Sequence, residues 1–236
     1  MFQHIKHTYL EYCNKEINWL PADTEELYLK NLETNWGSLN VNGWIDDPHF
    51  TYKFNSHGFR SDEFNHEPSI LFLGCSHTAG IGMPVEKTWT RIVAKELGLK
   101  CFNLGIGASS NDTAFRLGHH YIPQIKPKLV IFLSTDNART ELFSNDHIEN
   151  WSIWNQTYDP TRWGYYIENW ILNDANSEMN FLKNKLALEH ICNTNNIKFL
   201  HRKVGDVLYN LDLARDLMHY GVKSNKVCSQ KILHLL

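Results

Sequence analysis

Residues 69–80 read SILFLGCSHTAG. A short apolar run stops at Gly74, and three small or reactive residues follow, Cys75, Ser76 and His77. A run of this length bounded by a turn signal is the pattern of a buried strand. The residues just past it are then lifted to the rim of a sheet. Either Ser76 or Cys75 is an exposed nucleophile there, or the stretch is only a tight turn; the remaining segments decide which.

Working outward, the same rhythm repeats. EKTWTRIVAKELG (86–98) is an amphipathic helix closed by Gly98, with Trp89, Ile92, Val93 and Leu97 on one face. KCFNLG (100–105) is a second strand, and SNDTAFRLGHHYIPQI (110–125) contains a helix with a Ser/Asn/Asp start. KLVIFLS (128–134) is a third strand, unbroken in its apolar character as expected when both sheet faces are covered. NSEMNFLKNKLALEHICNTNN (176–196) is a long helix, IKFLHR (197–202) a fourth strand, and KSNKVCSQKILHLL (223–236) a closing helix. Alternation at these lengths predicts an α/β fold, a three-layer α/β/α sandwich with a central, mostly parallel, flavodoxin-like sheet. Upstream, TEELYLKNL (24–32) reads as a helix, and FTYKFNSHGFRSDEF (50–64) alternates like an edge strand before turning at Gly58. The division expected is an appendage over 1–50 and the α/β/α domain over 51–236, with an aromatic-rich insertion at about 144–175.

Composition narrows the function classes. Of 236 residues, 42% are hydrophobic and the formal net charge is −3 with no basic block, which argues for a packed core and against nucleic acid as partner. Five cysteines, Cys13, Cys75, Cys101, Cys192 and Cys228, form no CxxC pair. With no apolar stretch near the start and no run long enough for a membrane span, they suggest free thiols in a reducing, cytoplasmic setting. The glycosylation-type triplets at Asn111 and Asn155 then carry no weight. The histidines of HIKH (4–7), HH (119–120) and HIC (190–192) lack partners at ligand spacing, so neither metal nor organic cofactor is expected.

In open α/β sheets the working residues sit at the carboxyl ends of the strands. Here those places hold Ser76, the small-residue turn Gly107-Ala108, and Asn137; ARDLMHYG (214–221), before the last helix, adds Asp216 and His219. Acyl transfer needs this inventory. A serine hydroxyl becomes nucleophilic when an imidazole takes its proton, a carboxylate fixes the imidazole, and N–H donors receive the oxyanion. Cys75, beside the turn, is read as pointing back under the sheet rather than as the nucleophile.

Four blocks, GCSHTAG, NLGIGASSND, STDN and DLMH, resemble in content and order those of the SGNH, or GDSL-type, hydrolases. The lead-in NSHGFRSDEF resembles microbial and phage members, and the likeness runs over roughly residues 50–236. It implies Ser76 as nucleophile, His219 as general base, Asp216 as its orienter, and an oxyanion hole of the Ser76 and Ala108 amides with the Asn137 side chain. The chain departs from the family pattern with Cys75 in place of Asp, Ala108 in place of Gly, and STDNA in place of a Gly-rich block. Ungapped counting from Pro127 puts Asn137 in register; a one-residue bulge would put Asp136 there instead. Substrate-binding roles are expected for His77, Gly107, Arg139 and Trp163. His77 is otherwise a helix-start or surface histidine, and Arg139 with Glu141 forms either a structural pair or a polar subsite. The function expected is serine esterase activity on a carboxylic ester, small-molecule or carbohydrate, with O-deacetylation as the implied class. Acyl transfer by the same triad, or a binding or structural protein that kept the fold without activity, are the alternatives.

Overall fold

The computed structural model describes residues 7–143, 148–152 and 160–236, apart from the side chains of residues 160, 162 and 163. The N-terminal part holds β1 (Glu16–Ile17), α1 (Glu25–Thr34), α2 (Trp36–Val41) and β2 (Tyr52–Lys53). Thr24 caps α1 by accepting a hydrogen bond from the Leu27 amide. The alternating 50–64 stretch is not an edge strand of the main sheet. Only Tyr52 and Lys53 pair, antiparallel to β1 in a separate two-stranded ribbon, because the chain turns away at Gly58, whose φ is +76°.

The central sheet contains β3 (Ser69–Gly74), β4 (Lys100–Asn103), β5 (Leu129–Ser134) and β8 (Lys198–Lys203), all parallel in the order β4-β3-β5-β8. Between them run α3 (Ser76–Ala79), α4 (Trp89–Glu96), α5 (Asn111–Ile125) and α7 (Asp174–Thr194), and α8 (Val204–Val207) and α9 (Val222–His234) follow. Alternate residues of each strand point to opposite faces. Leu71, Leu73, Phe102, Val130 and Phe132 pack with Ala114, Leu117, Phe181 and Leu188 of α5 and α7. Ile70, Phe72, Ile131 and Leu133 pack with Trp89, Val93, Cys228 and Ile232 of α4 and α9. This is an α/β/α sandwich with a parallel centre. On α4 the expected apolar stripe is buried at Trp89 and Val93 but leaves Leu97 40% exposed, since α4 ends one residue earlier.

The region after β5 holds a hairpin of β6 (Thr140–Phe143) and β7 (Ile148–Trp151), then α6 (Pro160–Tyr166) running into a π-turn over Ile167–Ile171. Its own small core is Trp151, Ile167 and Ile171. Trp154, Tyr158 and the Trp163 side chain lie outside the described residues, while Tyr165, Tyr166 and Trp170 are exposed.

Residues 7–50 are tied to the body throughout. Tyr9 and Leu20 belong to the main core. The Trp44 indole donates to Leu213 O at 2.8 Å, and the Asn42 side chain accepts from the Leu213 amide at 2.8 Å. All five cysteines are free thiols. Among the described residues, no helix is long and apolar enough to cross a membrane.

Candidate active site

Strand order reverses at β3, which leads through α4 to β4 on one side and pairs with β5 on the other. A crevice opens outside the strand ends at such a switch point. Ser76, the first residue of α3, follows the carboxyl end of β3 at this point. Its helix is pressed tightly onto the second block: a Cβ on Gly105 would lie 2.4 Å from Ala79 N, so only glycine fits. Asn103 links the same parts, donating to Thr78 O at 2.7 Å and accepting from the Gly105 amide at 2.9 Å. Ser76 is 8% exposed and Cys75 only 1%, which turns the thiol into the protein as the sequence reading required.

The base loop is held by local hydrogen bonds. Ala214 N donates to His219 O and Leu217 N to Ala214 O, folding residues 214–219 back on themselves. Asp216 is 2% exposed, and its Oδ1 accepts the amides of Met218 and His219 at 3.0 Å each. Its Oδ2 lies 2.5 Å from His219 Nδ1. A carboxylate only accepts, so Nδ1 carries a proton, and in the neutral ring the lone pair is then on Nε2. That is the tautomer a general base needs.

The two loops meet at Gly82, whose φ is +75° and whose Cβ, if present, would sit 2.7 Å from Ala214 Cβ and 3.2 Å from Asp216 Oδ1. Arg215 N donates to Gly82 O at 3.0 Å. On the other side His77, next to Ser76, places its ring 5.3 Å from that of His219. Among the described residues, no hydrogen bond joins Ser76 Oγ to His219; catalytic hydrogen bonds commonly tighten only in the substrate complex. Burial is the main cause, and the neighbouring His219 and Arg139 a lesser one, of a His77 pKa lowered to about 3, so this ring stays neutral.

The oxyanion candidates are placed as follows. Ala108 is exposed in a turn with φ +57°, a left-handed backbone that normally favours glycine. Among the described residues, neither its amide nor that of Ser76 donates a hydrogen bond. Gly107 is different: its N–H donates to Tyr9 Oη at 2.9 Å and is committed there. Burial raises the Tyr9 phenol to about 12, so it stays protonated. Asn137 is half-buried and its amide has no partner among the described residues, whereas Asp136 is exposed and accepts from the Ala138 amide at 2.9 Å. Asn111 fixes the block from below, accepting from Thr135 N at 3.1 Å and donating to Thr135 O at 3.4 Å.

The expected Arg139–Glu141 pair does not form. Glu141 faces α5 and takes a buried, bidentate hydrogen-bond pair from Arg116 at 2.8 and 2.7 Å, with Thr113 Oγ1 adding a third at 2.7 Å. Alternation along β6 points residue 141 inward. Arg139 instead reaches Ser109 O at 3.4 Å.

Sequence reading missed the scaffold of the base loop. Arg215, beside Asp216, is 1% exposed. It donates to Asp23 Oδ1 at 3.1 Å and Oδ2 at 2.6 Å, to Pro48 O at 2.6 Å and to Asn18 O at 2.9 Å. Its guanidinium lies 3.9 Å from the centroids of both Trp19 and Phe50. Tyr52 also donates to Asp23 and accepts from the Gly82 amide at 2.7 Å. Arg60, 3% exposed, grips the same turn through Gly80 O at 2.5 Å and Met83 O at 2.6 Å. The only signal was an arginine next to the DxxH block, and its partner lies 192 residues away.

No family model and no curated protein matches the chain. Solved structures to which it is similar are GDSL-type lipases and esterases. An esterase from a Pseudoalteromonas species aligns at 12% identity over 70% of this chain and 94% of its own, with a TM-score of 0.37. A catalytic variant of an acetylxylan esterase from Geobacillus stearothermophilus aligns at 16% over 71% and 93%, with a TM-score of 0.35. A GDSL-like lipase from Bacteroides thetaiotaomicron aligns at 15% over 71% and 86%, with a TM-score of 0.32. At these scores the likeness carries no weight for the chemistry, which rests on the residues of this chain.

Proposed function

We propose that this protein hydrolyses carboxylic esters through an acyl-serine intermediate. The observation that carries the reading is the Asp216–His219 pair, 2.5 Å apart, in the tautomer of a general base and packed against the residue that follows Ser76. In this reading Ser76 Oγ attacks the ester carbonyl as its proton passes to His219 Nε2. The oxyanion is received by the Ser76 and Ala108 amides and the Asn137 side chain. Collapse expels the alcohol, which takes the proton from His219; water then attacks the acyl-serine with His219 again as base, releasing the acid.

Asn137, Arg139, Asn176 and the 61% exposed ring of Trp170 share one stretch of surface. An apolar ring flanked by amides and a guanidinium supports a polar alcohol such as a sugar, and hence O-deacetylation as the substrate class. The test is turnover of 4-nitrophenyl acetate, and of an acetylated sugar, by wild type and Ser76→Ala. Loss of both activities in the variant is expected. Equal rates in variant and wild type would remove the serine-esterase reading.

A further inference from the structure

We propose that His77 is a positioning residue for His219, its ring, backed by the Tyr220 ring stacked on it, forming an aromatic bracket that sets the plane of the base. The inference rests on the esterase reading above. The His77 ring meets His219 edge-on, with centroids 5.3 Å apart at 70°, and stacks on Tyr220 at 4.8 Å and 23°. One ring therefore touches two consecutive residues of the base loop. The Asp216 bond holds one edge of the His219 imidazole but leaves its tilt about that bond open; a T-shaped neighbour restrains the tilt.

The bracket is itself anchored. His77 O accepts from the Trp89 indole at 3.1 Å, and Trp89 N donates to Asn225 Oδ1 at 3.0 Å. Asn225 in turn donates to Tyr220 O at 3.0 Å and to Gly221 O at 2.9 Å. His77, Trp89, Asn225 and Tyr220 thus form a closed circuit running from α3 through α4 and α9 back to the base loop. The requirement is for a flat ring without charge. The charged and titratable groups facing His77 are His219, Arg139 and Asp216, with the ring of Tyr220 stacked on it. A second cation at position 77 would oppose the imidazolium that His219 becomes during acyl transfer. The largest influence on His77, its burial, favours the neutral form, with its pKa lowered to about 3.

The experiment compares His77→Phe, which keeps a flat uncharged ring, with His77→Ala, which removes it, each checked for folding by near-ultraviolet circular dichroism. On 4-nitrophenyl acetate, kcat of the Ala variant is expected to fall about three- to tenfold, the worth of one aromatic pair, with KM changed less than about twofold. The Phe variant restores kcat to within about twofold and leaves the acid limb of the kcat/KM profile in place. If His77→Ala does not fold, His77→Leu fills the space without a flat ring and takes its role. Wild-type kcat in the ring-less variant, equal impairment in Phe and Ala, or a shifted acid limb in Phe would each overturn the proposal. An activity-independent arm follows the His219 ring resonances by NMR in a Ser76→Ala background, where His77→Ala moves or broadens them and His77→Phe restores them. Unmoved resonances in His77→Ala would overturn it too. The parent reading fails separately, if Ser76→Ala turns over ester as fast as wild type.

Discussion

Arg215 Nη2 lies 2.6 Å from Asp23 Oδ2, closing a contact between positions 192 residues apart, and each of the two side chains is 1% exposed. The residue next in sequence to Arg215 is Asp216, which orients His219. The N-terminal part of the chain therefore supplies the ground on which the candidate base stands. Asp23→Asn leaves the guanidinium buried without its carboxylate, and loss of one partner of a buried pair costs about 3–5 kcal/mol. A fall of that size in urea-unfolding free energy is expected. A change under about 1 kcal/mol would mean that Pro48 O and Asn18 O alone hold Arg215.

Asp216→Asn should preserve the loop, since an amide oxygen can still accept the Met218 and His219 amides, but it loses control of the imidazole tautomer. The expected result is a fall in kcat of about 10²- to 10⁴-fold with the melting temperature little changed. Steady-state kinetics beside a thermal scan read both. An active variant would show that Asp216 serves only the fold.

Asn137 and Asp136 compete for the oxyanion role, and the pair of variants separates them. Asn137→Ala should lower kcat by about 10²- to 10³-fold, the effect of removing one oxyanion donor. Asp136→Asn should leave kcat within about threefold, because Asp136 is exposed and caps its own turn through the Ala138 amide. The reverse pattern would place Asp136 in the site.

Ala108 adopts φ +57°, and the left-handed region costs a non-glycine residue roughly 1–2 kcal/mol. Ala108→Gly removes that strain, offset by about 0.4–1 kcal/mol of unfolded-chain entropy. A net gain of between about 0 and about 1.6 kcal/mol is expected, with activity kept because the donor is the main-chain N–H. Chemical denaturation and the ester assay measure the two. Retained stability with lost activity would show that the Ala108 methyl, not its amide, matters.

Three histidines link stability to pH. Burial is the largest cause in each: His7 is lowered to about 4, His77 to about 3 and His201 to about 4. Between pH ~6.5 and these values the unfolded chain binds protons that the folded chain does not. Stability is therefore fully present above about pH 6.5 and is lost as pH falls through that window. Urea midpoints from pH 7 to 5, before most carboxylates titrate, should fall steadily, and His201→Phe should flatten the slope. A flat wild-type profile would contradict the burial of these rings.

Much of this was legible in the chain. The runs SILFLG, KLVIFLS and IKFLHR, with the 3.6-residue stripes between them, determined a parallel sheet covered on both faces, because strand and helix periodicities are local properties. The same local reading placed Ser76, Ala108 and Asn137 at strand ends and paired Asp216 with His219 three residues on. Tertiary structure alone decided that Glu141 faces Arg116 rather than Arg139, that Gly107 spends its amide on Tyr9, and that Asp23, Tyr52 and Arg215 lock the base loop. Those choices depend on which distant groups share a buried space, where an unpaired charge or N–H is too costly to leave. That cost acts between segments scores of residues apart, and no spacing along the chain encodes it.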